Sequence, residues 1–201
     1  SKRDITTGTL HANFQLTQTA SDEAVVLADP SGTIIDFYQI YKPNQLNHST
    51  GRITSGASQW GVFTNPTPYA ANTGAKNGYA PTPDIAPASG NYAAAQTVTI
   101  TASDPSVSIY YTTNGYTPTA ASTHYTGPID VSATTVVRAI AVSPDPNILP
   151  GFVETNTYLI AENHTIPVIS VACAGVLTLL DGDWGSEPIV SFELFGANGQ
   201  L

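Results

Sequence analysis

The chain has 201 residues, with fifteen Asp and Glu against six Lys and Arg, for a net charge of -9. That balance excludes the basic footprint needed to hold nucleic acid or an anionic membrane surface. Only 10% of the residues are charged, and Thr, Ser, Ala, Gly, Pro and Tyr abound, which suits turn-rich all-β modules better than helical bundles. A hydrophobic share of 41% supports real cores. The lone cysteine, Cys173, allows no internal disulfide. No apolar run is long enough to span a bilayer: the longest, 166–180, is interrupted by Pro167, Ser170, Gly175 and Thr178. The chain opens on Ser1-Lys2-Arg3 and holds no Met, so it is expected to be an excised piece or a processed product.

Residues 1–73 come first. Asn13-Phe14-Gln15-Leu16 alternates, and Ala24-Val25-Val26-Leu27 predicts a short strand. Asp29-Pro30-Ser31-Gly32 supplies turn residues, and 33–41 predicts a second strand completing a hairpin. Residues 42–58 read as a long polar loop. Trp60 and Phe63 return to apolar character, and Pro66-Thr67-Pro68 ends regular pairing because proline donates nothing to a ladder.

Several runs here resemble the second half of a lamin-tail domain. They are Leu10-His11-Ala12-Asn13-Phe14-Gln15-Leu16, Leu27-Ala28-Asp29-Pro30-Ser31-Gly32, Ile35-Asp36, Ser49-Thr50-Gly51-Arg52, Gly56, Trp60, Phe63, Pro66-Thr67-Pro68 and Asn72. The resemblance implies an immunoglobulin-like sandwich whose opening strands are absent. Such a sandwich exposes an apolar face and an unpaired edge. The expected partner is therefore a protein, or N-terminal strands from elsewhere, completing the first sandwich.

Residues 74–83 read as a linker rich in Gly, Asn and Pro. The stretch 84–154 then carries short alternating runs at Val98-Thr99-Ile100, Ile109-Tyr110-Tyr111 and 136–142. Its clearest turn is Asn114-Gly115, a pair that tolerates the positive φ of a tight hairpin. If Arg138 points to solvent, strict alternation sends Val137, Ala139 and Ala141 inward. Val136, Ile140 and Val142 then make an apolar outer face, which predicts a covering neighbour.

This stretch resembles the chitobiase/β-hexosaminidase C-terminal type domain, a small fibronectin-III-like sandwich. The carriers are Pro87-Ala88-Ser89-Gly90-Asn91-Tyr92, Val98-Thr99-Ile100, Ile109-Tyr110-Tyr111-Thr112-Thr113-Asn114-Gly115, Pro118-Thr119, Tyr125, Pro128-Ile129 and Val137-Arg138-Ala139-Ile140-Ala141. The resemblance implies an accessory domain and, by itself, no activity.

Residues 155–201 form the third piece. Asn156-Thr157-Tyr158-Leu159-Ile160, Thr165-Ile166-Pro167-Val168-Ile169-Ser170-Val171 and Glu187-Pro188-Ile189-Val190-Ser191-Phe192-Glu193-Leu194-Phe195 resemble the opening strands of a CotH-type kinase domain. That family's catalytic and nucleotide-binding residues fall beyond Leu201, so none is assigned. Along the last run, Ile189, Ser191, Glu193 and Phe195 face one way and Val190, Phe192 and Leu194 the other. The second set makes an apolar face, as expected for a strand packed on one side.

Candidate sites are sparse. Asp181, Asp183 and Glu187 cluster on a turn of the kind that gives oxygen ligands to calcium, but the full EF-hand spacing is missing, and the expected reading is a solvated hairpin turn with no metal. Tyr69, Tyr79, Tyr116 and Tyr125 sit near loops and are candidates for stacking on sugar rings. Trp60 and Tyr110 or Tyr111 fall where a sandwich needs core or cross-strand packing. His11, His48, His124 and His164 lack zinc spacing, and no nucleophile elbow or Gly-rich phosphate loop is present. Cys173 follows an apolar strand and is expected to be buried.

The expected fold is all-β: tandem immunoglobulin/fibronectin-III-like β-sandwiches, the first and last incomplete. The expected function is non-catalytic, structural or adhesive, in a secreted or cell-surface bacterial protein. One alternative is the accessory and leading part of a CotH-type protein kinase; another is a carbohydrate-binding module. No catalytic motif lies within the chain, and no cofactor is expected. A cell-surface or polysaccharide ligand remains open beside the protein partner.

Overall fold

The structure, a computed structural model, describes residues 23–176, 181 and 190–197. Its regular elements make an all-β architecture of several sheets. The chain divides into two compact units, Ser1–Ala75 and Lys76–Leu201.

In the first unit, β1 (Ala24–Ala28) and β2 (Ile34–Gln39) form an antiparallel ribbon. Its turn closes as the residue types predict. The Asp29 carboxylate accepts the N–H groups of Ser31 and Thr33, each at 2.9 Å, and Gly32 takes the left-handed conformation at φ +88°. These bonds, that of the Ser31 hydroxyl foremost, hold the Asp29 carboxyl below its ordinary range. A second ribbon pairs β3 (Ser49–Arg52) with β4 (Trp60–Phe63). β3 lies within the segment read as a polar loop. Ser-Thr-Gly-Arg has no apolar alternation to betray a strand; Arg52 supplies the reason it forms one.

Arg52 gathers this unit. Its guanidinium pairs with Asp36 on β2, donates to the Ala57 carbonyl and lies 4.9 Å from the Trp60 ring centroid. Tyr38 packs on the same indole, with centroids 4.2 Å apart, and Asn72 Nδ2 donates to the Arg52 carbonyl at 2.7 Å. The hydrogen bond from Arg52 pulls the Asp36 carboxyl below its usual range. Ile40, Val62 and Phe63 are buried beneath.

The second unit is a two-layer sandwich. One layer runs β10 (Thr123–His124), β9 (Ser108–Thr112), β12 (Thr135–Val142), β14 (Glu154–Ile160) and β7 (Gly90–Tyr92). The other runs β11 (Ile129–Val131), β8 (Gln96–Thr101) and β6 (Asp84–Ala86). A short parallel pair, β5 (Gly78–Tyr79) with β13 (Ile148–Leu149), draws part of the expected linker into this unit. Period-two patterning places the core: Val98 and Ile100 are buried while Thr97, Thr99 and Thr101 are exposed. They meet Ile85, Val131, Val137, Ala139, Tyr158 and Ile160 in one cluster, flanked by Tyr92, Ile109, Tyr111, Tyr125 and Ile129. Burying each large aliphatic side chain there is worth about 1.5–3 kcal/mol.

β14 holds a position its sequence neighbours do not announce. The sequence places residues 155–160 with the third piece, yet β14 lies between β12 and β7, antiparallel to one and parallel to the other. Tyr158 and Ile160 complete the core, and Asn156 Nδ2 donates to the Ile85 and Pro87 carbonyls at 3.0 and 3.2 Å. The sandwich therefore extends beyond residue 154.

Two local expectations change. Asn114-Gly115 does not close a two-residue hairpin, because β9 ends at Thr112 and β10 begins at Thr123. Gly115 does adopt φ +77°, and its carbonyl is taken by Arg138. Arg138 itself does not reach solvent: it is 3% exposed, on the outer side of β12, under a further ribbon. That ribbon is β15 (Val168–Ala172) paired with β16 (Ser191–Phe195).

Candidate functional site

Two ribbons show apolar faces to solvent, and these are the most distinctive surfaces of the described residues. In the first unit, Val25, Val26, Leu27, Ile34, Ile35 and Phe37 are each more than half exposed. Cross-strand pairing of Val26 with Phe37 puts both on one side of the ribbon. The other side carries Asp36 and Tyr38, which engage Arg52 and Trp60. Single exposed apolar residues are ordinary, but this hairpin exposes six across its two faces, with Val26, Ile35 and Phe37 together on the face away from Arg52, a grouping of the kind that marks an interaction surface.

The second ribbon, β15–β16, has its two faces reversed from expectation. Its apolar face, Ile169, Val171, Phe192 and Leu194, points to solvent, with Phe192 71% exposed. Its other face, Ser170, Ala172, Ser191, Glu193 and Phe195, meets the outer side of the five-stranded sheet. There the Ser170 and Thr157 hydroxyls are hydrogen-bonded at 2.7 Å, and Thr155 Oγ1 donates to Ser191 Oγ at 3.3 Å. Ser89 Oγ accepts the Thr157 N–H at 3.1 Å and donates to the Glu193 carboxylate. The reversal has a plain cause. The sheet presents Arg138, Thr155 and Thr157, and a buried polar group without a partner costs more than an exposed apolar one loses. Ala172, Cys173 and Phe195 are buried.

The four tyrosines do not form one site. Tyr116 is 54% exposed on the β9–β10 connection, its N–H held by Asn114 Oδ1 at 3.1 Å and its carbonyl by Thr112 Oγ1 at 2.6 Å. Tyr125 is half-buried against the core. Its ring stands edge-on to Tyr111 at 6.3 Å, and its hydroxyl oxygen accepts the Ile100 N–H at 3.1 Å. Tyr79 packs against Phe152 at 5.1 Å. Tyr69, in the first unit, is 79% exposed at φ +65°. Tyr110, on the outer side of β9, lies 5.3 Å from the His124 ring.

Of the carboxylate turn, Asp181 is exposed, and Asp183 and Glu187 lie outside the described residues. Among the described residues no three His, Cys, Asp or Glu side chains are grouped to hold a metal ion, and no helix is long and apolar enough to cross a membrane. Acidic groups do gather at one end of the sandwich. Burial, then the charges of Asp84 and Glu193, push the Glu154 carboxyl above its ordinary range. The sequence predicts an exposed apolar face in the first unit but misses the one on β15–β16. The alternation of β16 is visible in the sequence, but which side faces solvent depends on the sheet beneath.

Residues 87–147 match the family model of the chitobiase/beta-hexosaminidase C-terminal domain. The match begins just after β6 and ends before β13, so it covers most of the sandwich but not β14. Searches of curated proteins and of solved structures return no match for the chain.

Proposed function

We propose that this chain is a non-catalytic interaction segment of a secreted or cell-surface bacterial protein. Its central sandwich serves as a rigid spacer, and its first unit receives a protein partner. The observation that carries this reading is the exposed apolar ribbon β1–β2, with Phe37 55% exposed beside Val26 and Ile35. An incoming strand or sheet face removes that surface from water. The lamin-tail resemblance of this unit supports a partner that completes an immunoglobulin-like sandwich, and the CotH resemblance of residues 155–201 supports a place beside a kinase domain.

A second reading, polysaccharide binding, is favoured by Tyr116, which a held loop presents to solvent on the segment that matches the chitobiase family. One experiment separates the two. A photoreactive phenylalanine is placed singly at Phe37, at Tyr116 and, as control, at exposed Thr97, in the producing cells. The protein reading expects one discrete protein adduct from Phe37 and none from Thr97. Polysaccharide adducts confined to Tyr116 favour the second reading, and equal labelling at all three positions removes both.

A further inference from the structure

The seam between the sandwich and the β15–β16 ribbon is built around a buried cation. Arg138 Nε donates to Thr155 Oγ1 at 3.2 Å. Nη1 donates to the Gly115 carbonyl at 3.1 Å and to Thr117 Oγ1 at 3.2 Å. Nη2 donates to Ser191 Oγ at 3.0 Å. One side chain thus joins three elements: β14, the β9–β10 connection and β16. All four acceptors are neutral, and among the described residues Arg138 has no carboxylate within ion-pair distance. Desolvation lowers its pKa from the ordinary guanidinium value, a sign of what burial costs it.

The ribbon's attachment differs from that of the strands that build the two layers. Among the described residues, β15 and β16 pair only with each other, no backbone ladder joins them to the five-stranded sheet, and neither contributes a residue to the core cluster of the sandwich. The hydrogen bonds described between ribbon and sheet run through side chains. The packing is close: a Cβ placed on Gly115 sits 3.8 Å from the Ala172 Cβ.

We propose that Arg138 is a clasp that holds β15–β16 on the sandwich as a separately releasable strap, and so fixes which face of the ribbon is shown to solvent. Clasped, the strap turns Ser191 and Ser170 inward and displays Ile169, Val171, Phe192 and Leu194. Released, it frees the guanidinium to water while leaving the core untouched. Arg138 is a positioning residue here, and the inference does not depend on what binds the first unit.

The test is amide hydrogen exchange on the full chain, comparing the parent with Arg138→Gln and Ser191→Ala. A hydrogen bond to a charged group implies that its loss speeds opening of the strap on the order of tenfold to a hundredfold. Amides of β15 and β16 are expected to exchange faster in both variants while those of β8, β12 and β14 keep the parent rates. If Arg138→Gln fails to fold, Ser191→Ala decides, since it removes the strap's acceptor for Arg138 and Thr155 and leaves the sandwich side chains in place, and Thr155→Val, which keeps the Ser191 acceptor for Arg138, separates the two bonds. Unchanged exchange in β15 and β16 overturns the proposal. So does equal acceleration across strap and core, which would make them one cooperative unit.

Discussion

Tyr158→Ala is expected to unfold the second unit at physiological temperature. Tyr158 is 0% exposed and lies at the middle of β14, where its ring meets the core cluster and Tyr92 at 5.9 Å. Its hydroxyl donates to the Pro87 carbonyl at 2.7 Å, and burial pushes its pKa up to about 12. Deleting a buried aromatic costs about 3–5 kcal/mol through lost burial and the cavity left behind. The Pro87 carbonyl loses this donor but keeps Asn156 Nδ2 at 3.2 Å, so the lost hydrogen bond adds only about 0.5–1.5 kcal/mol. Domains of this size hold only about 5–15 kcal/mol in total, so the loss takes most of the margin. Tyr158→Phe keeps the ring and is expected to cost only about 1–2 kcal/mol. Urea midpoints of the two variants check this, and near-equal midpoints would show that the ring does not organise the core.

Gly151→Ala is the second large effect. A Cβ at this position falls 2.8 Å from both the Ala80 and Pro81 carbonyl oxygens. Both are backbone atoms and cannot swing aside. The Gly151 N–H donates to the Ala141 carbonyl at 2.9 Å, so the segment is also tethered from behind. The added methyl must therefore part the segment before β14 from the segment after β5, disturbing the Tyr79–Phe152 contact. Overpacking of this kind costs about 1–3 kcal/mol, with the upper part of the range expected against backbone. Gly127→Ala, where nothing lies within 4 Å, is the control and is expected to change little. Thermal unfolding of both variants measures the difference. A neutral Gly151→Ala would mean the two segments are not in contact.

The all-β class and the central module were legible in the sequence because their signals are local. Val98-Thr99-Ile100 alternates, and its apolar members are the buried ones. Gly115 sits at positive φ, as a residue without a Cβ can at no cost. What escaped the sequence is non-local. β14 pairs in parallel with β7, matching Tyr158 to Gly90 and Ile160 to Tyr92, and nothing near residue 155 signals a partner so far back in the chain. β3 was hidden because Ser-Thr-Gly-Arg takes its order from Arg52, whose partner Asp36 is on another ribbon. The direction of Arg138 was the most consequential reversal. Charge suggests solvent, yet hydroxyl and carbonyl acceptors from three elements converge on it. Once it is buried, the ribbon above must turn its polar side inward, and the apolar side of β16 appears at the surface. The aromatic candidates divide for a related reason: Tyr125 closes a core edge, whereas Tyr116 stands on a loop whose backbone bonds leave its ring outside.

The most direct test of this account is to make two pieces separately, residues 76–201 and residues 84–153, and follow their unfolding by heat and urea. The account places β14 inside the sandwich. It predicts one sharp, cooperative transition for 76–201 and none for 84–153, which lacks the strand carrying Tyr158 and leaves β12 and β7 without their shared neighbour. A cooperative transition of equal midpoint in the shorter piece would contradict it, because the sandwich would then be complete without β14.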